Sequence, residues 1–274
     1  VNPVHSAWRP APAVWVSLAA HAAALLAFAV QPALWPWALG AVAANHLLLV
    51  IASLWPRGRL VGPNLTRLPP AAAARREVSI SFDDGPDPEV TPRLLDALDR
   101  HGARASFFCV GVKAAAHPEL VREIVRRGHS VENHSQRHPL AFAFYGLRRL
   151  RREVEEAQTA IACISGRPPG FFRAPAGFRS PLLDPVLARH GLRYVSWTRR
   201  GFDTVDGDAA AVLGRLTRGL AAGDVLLLHD CGRARTRDGE PVVLAVLPVL
   251  LERLAAAGLK SVSLPAGFGR GTAA

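Results

Sequence analysis

Cysteine is scarce in this 274-residue chain: there are three, and no two form a Cys-x-x-Cys pair. That excludes a disulfide-stapled scaffold and a thiolate zinc knuckle. Acidic residues are absent from the whole N-terminal quarter. The first is Glu77, and six arginines precede it: Arg9, Arg57, Arg59, Arg67, Arg75 and Arg76. No basic stripe interleaved with aromatics occurs, so the net charge of +11 does not read as a nucleic-acid footprint. No internal repeat stands out. With 50% hydrophobic and 20% charged residues the chain is neither disordered nor collagen-like. Its length suits one large domain, or one domain with an extension.

The basic excess lies beside the most apolar stretch. Residues 14–30 (VWVSLAAHAAALLAFAV) and 33–55 (ALWPWALGAVAANHLLLVIASLW) carry no charge. As helices they would reach about 26 and 35 Å, against a hydrocarbon layer of roughly 30 Å. Gln31-Pro32 separates them, and Trp35, Trp37 and Trp55 sit near the ends of the second run, as interfacial aromatics do. A signal peptide has one short apolar core and then a polar chain. Two runs in succession fit a hairpin of two transmembrane helices better. Arg9 on one flank and Arg57 and Arg59 on the other place both ends, and the body, in the cytoplasm by the positive-inside rule. The polar residues within the spans, His21, Asn45 and His46, are expected to bond one another across the hairpin.

The organisation then reads as a membrane hairpin over 1–61, a Pro- and Ala-rich linker over 62–76, and a catalytic domain over 77–268. Within the last, strand-like runs at 78–82, 105–110, 129–133, 171–173, 192–197, 224–229 and 260–265 alternate with helical stretches. The helices are expected at 89–101, 115–127, 146–165, 181–190, 208–221 and 241–257. Repeated β-then-α units predict an α/β fold with a parallel sheet or barrel. About seven strands are too few for an eight-fold barrel.

Chemistry-bearing residues cluster at the C-terminal ends of these strands, the edge where α/β barrels build their sites. Asp83 and Asp84 follow the first strand, and Gly85-Pro86 turns the chain sharply. His134 and His138 stand four apart. On a helical turn that spacing puts both imidazoles on one face, where two His and one Asp hold an ion and leave positions open for water and substrate. Zinc suits such a set, as do other divalent metals. Arg173 and His229 end two further strands. Cys109 and Cys163 read as small core residues, and Cys231 lies near His229 in sequence.

In order along the chain, SFDDGP, NHSQRH, RAPAG and LLLHD resemble the motifs of the polysaccharide deacetylase family (carbohydrate esterase family 4, with its NodB-like domain). The resemblance implies a distorted (β/α)7 barrel and a divalent metal, usually Zn2+, with Co2+, Ni2+ and Mn2+ as alternatives. It implies Asp84, His134 and His138 as ligands, Asp83 as general base, Arg173 as the arginine orienting that base, and His229 as general acid. Pro175, Ala176, Trp197, Arg200 and Leu228 are implied as substrate-contacting positions. The backbone N–H of Ala176 would be the oxyanion donor, where the family often carries Tyr.

One motif departs from the family pattern. In Trp197-Thr198-Arg199-Arg200-Gly201-Phe202-Asp203, Arg200 occupies the place of the first acid, which is expected to tune His229. A cation there would disfavour the imidazolium. Alternatively, Arg200 grips a phosphate or carboxylate on the substrate, or forms a structural ion pair.

The activity so implied is removal of an N-acyl group, chiefly N-acetyl, from an amino sugar in a cell-envelope or lipid-linked glycan, with membrane lipid as a second partner and nucleic acid excluded. Competing readings are a catalytically silent, membrane-anchored glycan-binding module and an O-acetyl carbohydrate esterase.

Overall fold

The computed structural model describes residues 8–269. Expectations about residues 1–7 and 270–274 lie outside the described residues.

Two long helices open the structure, α1 (Pro12–Val30) and α2 (Trp35–Ser53), each of 19 residues. Pro32 ends the first run with a single 3-10 turn over Pro32–Leu34. Both helices are long and apolar enough to cross a membrane. They are apolar all round: Leu25, Leu26, Val30 and Trp37 are each at least 65% exposed. A helix with no polar face has no side suited to water. Across the pair, Asn45 Nδ2 donates to Ser17 Oγ at 2.9 Å. The histidines do not share that bond. His21 and His46 each bond a carbonyl of their own helix, and their rings meet edge to face at 5.1 Å.

The body is a parallel α/β half-barrel. Its strands are β1 (Glu77–Asp83), β2 (Ala105–Cys109), β3 (Ser130–Asn133), β4 (Phe171–Phe172), β5 (Arg193–Tyr194), β6 (Arg199–Arg200), β7 (Val225–His229) and β8 (Lys260–Ser261). They are ordered β5-β4-β3-β2-β1-β7-β6, with β8 on the start of β1. The helices are α3 (Pro70–Ala74), α4 (Thr91–Arg100), α5 (Gly111–Ala116), α6 (Pro118–Arg126), α7 (Leu147–Ser165) and α8 (Asp184–Arg189). Three more follow: α9 (Ala209–Thr217), α10 (Val242–Ala256) and α11 (Leu264–Gly267). Strands β2 and β7 are buried along their whole length, as parallel strands covered on both faces must be. The main core lies between the sheet and α4, α9 and α10, and a second cluster joins β4, α7 and α8.

Two elements differ from the sequence reading. The helix expected over 115–127 is divided between α5 and α6 at His117-Pro118, because a residue preceding proline avoids helical geometry. The strand expected over 192–197 stops at Tyr194, and β6 adds an eighth strand. The gap between β5 and β6 is filled by the segment expected to be a linker. Leu65 bridges Val195, receiving a bond from Ser196 N and donating to Tyr194 O. Leu68 N bonds Gly223 O, and Thr198 Oγ1 donates to Thr66 O. Backbone groups in such a gap need partners, and this segment supplies them.

The end of α2 is tied to the same side of the body. Arg179 N donates to Ser53 O at 2.9 Å, and Asn64 Nδ2 donates to the carbonyls of Pro56 and Gly58. Gly177, at φ 77°, has no room for a side chain: an added Cβ would lie 2.6 Å from Trp197 and 2.8 Å from Pro56.

Candidate active site

Strand register gathers the site. Asp83 at the end of β1 pairs with His229 at the end of β7 on one side and with Phe108 of β2 on the other. Cys109 pairs with Asn133, and Asn133 with Phe172. Thus Asp83, Asp84, His134, Arg173 and His229 all leave the sheet at one level. Asp83, Asp84, His134, His138, Ala176, Trp197, Arg200 and His229 line one pocket of about 100 Å3.

Arg173 is fully buried. Its Nη1 donates to Asp83 Oδ1 at 2.5 Å and to Ser81 Oγ at 3.0 Å, while Nη2 donates to Ser196 O. The guanidinium also lies over the Phe108 ring, 4.1 Å from its centre. With every side of the arginine occupied, Asp83 is held in one orientation with its second oxygen free toward the pocket.

Asp84 Oδ1 lies 3.3 Å from His134 Nε2 and 3.1 Å from His138 Nε2. Burial works against its charge, but the imidazoles of His134, His138 and His229, when protonated, outweigh that and hold the carboxyl well below the usual range. His134 Nδ1–H donates to Arg173 O at 2.8 Å, which fixes the tautomer and leaves Nε2 as a lone pair. Burial, with His134 beside it, lowers His138 to about 4, so this ring is neutral at pH 7. Asp84 Oδ1 is buried with no hydrogen-bond partner. One anionic oxygen facing two imidazole lone pairs is unfavourable until a cation sits among them, and all three donor atoms lie within 4.8 Å of one another. The donor set therefore fits a divalent metal.

These imidazoles do not converge along a helical turn. Residues 134–138 form a loop in which Ser135 (φ 66°) and His138 (φ 53°) are left-handed. Asn133 Oδ1 accepts from Ser135 N, and Ser135 Oγ accepts from His138 N. Asp84 (φ 76°) and Ala176 (φ 55°) are left-handed too. Non-glycine residues pay about 1–2 kcal/mol for this conformation, and such strain gathers at functional sites.

Opposite the imidazole pair stands His229. Its Nδ1 bonds Asp203 Oδ1 at 2.9 Å, and its backbone N–H donates to the other carboxylate oxygen at 2.7 Å. Burial lowers the basicity of the ring, but the hydrogen bond and charge of Asp203 outweigh it, and the pKa is raised. The expectation that Arg200 takes the tuning position is therefore corrected: the acid at the end of the motif does so. Arg200 makes no ion pair among the described residues. Its Nε is buried without a partner, and its guanidinium lies 5.4 Å from the Trp197 ring and 4.9 Å from that of Phe202.

Leu228 does not reach the pocket. Side chains alternate along a strand, so Leu227 and His229 face the pocket while Leu228 enters the core with Val212 and Leu216. Pro175 is buried outside the lining as well. Cys163 is exposed rather than in the core. Cys231 is half-buried and outside the pocket lining, its thiol pushed up to about 12 by burial.

Other contributors escaped the sequence reading. Lys113 Nζ donates to Asp84 O at 2.6 Å and Arg233 lies 3.9 Å from the Asp84 carboxylate. Asp230, buried and raised to about 7 by burial, accepts from Thr91 and occupies the space a side chain at Gly85 would need. That contact, beyond any turn, explains the glycine. Asp203, six residues past Trp197, and Asp230, the last residue of LLLHD, lie in motifs already singled out and carried a usable signal; Lys113 and Arg233 did not.

Comparison with known proteins matches residues 71–195 to the polysaccharide deacetylase family model. A chitooligosaccharide deacetylase from Sinorhizobium fredii is 35% identical over 61% of this chain and 77% of its own. A peptidoglycan-N-acetylglucosamine deacetylase from Bacillus cereus is 28% identical over 68% of this chain and 85% of its own. A family 4 carbohydrate esterase from Streptomyces lividans, solved with acetate, superposes with a TM-score of 0.61 at 36% identity, covering 68% of this chain and 91% of its own. Motif order, barrel and kinship agree, and the chain belongs to the polysaccharide deacetylase family of hydrolases.

Proposed function

We propose that this chain is a membrane-anchored, metal-dependent deacetylase that removes the N-acetyl group from an amino sugar. The observation that carries this reading is a pair of separately oriented groups, a carboxylate and an imidazole, at neighbouring strand ends in one pocket. Asp83 is fixed by Arg173, and His229 is fixed by Asp203. Amide hydrolysis needs that pair, because water must lose a proton on one side while the departing amine gains one on the other.

Asp84, His134 and His138 would hold the metal. When bound, such a cation would supply Lewis acidity toward the acyl oxygen and would lower the pKa of a nearby water to about 7. Asp83 accepts the proton of the attacking water through its free oxygen. Arg173 keeps that carboxylate aimed and occupies its other oxygen. The Ala176 N–H, at the pocket wall, donates to the oxyanion. His229 gives the Nε2 proton to the sugar nitrogen as the C–N bond breaks, and Asp203 stabilises the imidazolium beforehand. Acetate and the free amine leave.

Arg200 is read as an anion contact. It faces the pocket as a cation without an acid, as a substrate phosphate or carboxylate requires. The hairpin spans the cytoplasmic membrane, with its arginine flanks and the body on the cytoplasmic side. Acetate release from an N-acetylated chitooligosaccharide by the full chain in detergent tests the central claim. Asp83→Asn should reduce kcat by at least about a hundredfold with little change in KM and leave metal content unchanged. Activity within a few-fold of the parent would remove Asp83 from the base role.

A further inference from the structure

Between the hairpin and the body runs an apolar groove of about 460 Å3. Leu18, Leu49 and Val50 form one wall, and Phe144, Pro181 and Leu182 the other. Its size falls among small-molecule sites, roughly 300–1,000 Å3. Its walls do not close by packing on each other: Leu18, Phe144 and Leu182 are 56%, 64% and 47% exposed.

Two loops of the body serve both this groove and the acid–imidazole pocket. In the first, Leu140 lines the pocket and Phe144 the groove. In the second, Ala176 and Gly177 line the pocket, and Pro181 and Leu182 the groove. The hairpin wall is held to the second loop by the bond from Arg179 N to Ser53 O and by Pro56 against Gly177.

We propose that this groove holds the hydrocarbon tail of the substrate, so that the amino sugar deacetylated here is carried on a membrane lipid. The inference rests on the deacetylase reading above and names its substrate class. The occupant follows from continuity. Because α1 and α2 are apolar on every side, a groove walled by them opens into bilayer hydrocarbon rather than water. A long aliphatic chain can enter it laterally, and its headgroup then emerges beside the two shared loops, next to the pocket. A purely polysaccharide substrate has no part that this groove would accept.

Two measurements test the proposal on the full chain in nanodiscs. The first compares N-acetylglucosamine linked through phosphate to a long polyprenyl chain with a water-soluble N-acetylated chitooligosaccharide. Phe144→Glu and Leu182→Glu change exposed side chains outside the acid–imidazole pocket. Each should lower kcat/KM for the lipid-linked probe by about tenfold or more, mainly through KM, and alter the soluble probe less than about twofold. Leu182→Met should behave as the parent. Equal losses on both probes, or no preference of the parent for the lipid-linked one, overturn the proposal.

The second measurement needs no turnover. A diazirine-bearing polyprenyl-phosphate amino sugar should crosslink to peptides containing Leu49 or Leu182 in the Asp83→Asn variant. Unlabelled lipid-linked sugar should displace it, and plain phosphatidylglycerol should not. Equal displacement by the phospholipid would make the groove a site for ordinary bilayer lipid and overturn the proposal. Selective crosslinking in a chain that hydrolyses neither probe would support the groove and count against the deacetylase reading alone.

Discussion

The pKa of His229 is raised against its own burial, and Asp203 is the chief of the neighbours responsible, with the charges of Asp83 and Asp84 behind it. The side chain is almost wholly enclosed, which favours the neutral ring, yet the Asp203 carboxylate reverses the balance. A general acid must be protonated to act, so activity is lost as pH rises through the folded-state pKa of His229. Removing the Asp203 charge lowers that pKa. Asp203→Asn should therefore move the alkaline limb of the kcat–pH profile to lower pH while leaving metal content unchanged, and a limb that stays in place would separate Asp203 from the acid. Arg200 makes a parallel case. If it grips a phosphate, Arg200→Ala should weaken a phosphate-bearing substrate by about ten- to a hundredfold, the equivalent of roughly 1.5–3 kcal/mol for one charged hydrogen bond. A neutral oligosaccharide should lose far less, and equal losses would make Arg200 a structural cation. At this scale the polar residues that the structure gathers in one pocket were legible in the sequence, because each sits in a short motif of distinctive chemistry. The errors came from neighbours. Leu228 was displaced by strand alternation, which puts Leu227 on the pocket side. Asp203 rather than the residue at position 200 meets His229, because three residues of chain separate a side chain's place in a motif from its place in space.

Among elements, the hairpin and the long strands were the most legible, since uncharged runs and all-buried parallel strands leave few alternatives. Strands of two residues were less so: β4, β5 and β8 fall inside expected runs that overshoot them, and β6 was not expected at all. β6 has no pattern of its own and exists because β7 supplies its pairing. The loop after β4 is the element on which most converges. It carries Ala176 to the pocket and Gly177 between Trp197 and Pro56, then turns to meet α2 through Arg179. Gly177→Ala should separate these contacts. Overpacking costs about 1–3 kcal/mol, and the left-handed backbone adds roughly 1–2 kcal/mol. The detergent-solubilised variant should melt at lower temperature and lose activity together. An unchanged melt would mean that Pro56 gives way freely and that the hairpin is not fixed to this loop.

For the molecule as a whole, both ends of the hairpin lie on the side of the body. The topology proposed from Arg9, Arg57 and Arg59 has a direct check. A phosphatase fused after residue 274 should be inactive in cells, and a fluorescent protein fused there should be bright. An active phosphatase would put the body outside and give it a different pool of glycans. The segment over 64–68 has a separate consequence, for the way this chain can be divided. It fills the space between β5 and β6 with bonds to Tyr194, Ser196, Thr198 and Gly223, although it precedes β1. A fragment begun at Glu77, where β1 starts, would leave a slot open along the barrel wall next to Trp197 and Arg200. The smallest fragment that keeps the barrel whole therefore begins upstream of Asn64, in the stretch 54–63 that follows the end of α2 at Ser53. Cleavage anywhere between Asn64 and Glu77 would cut into the barrel itself, although that stretch precedes its first strand.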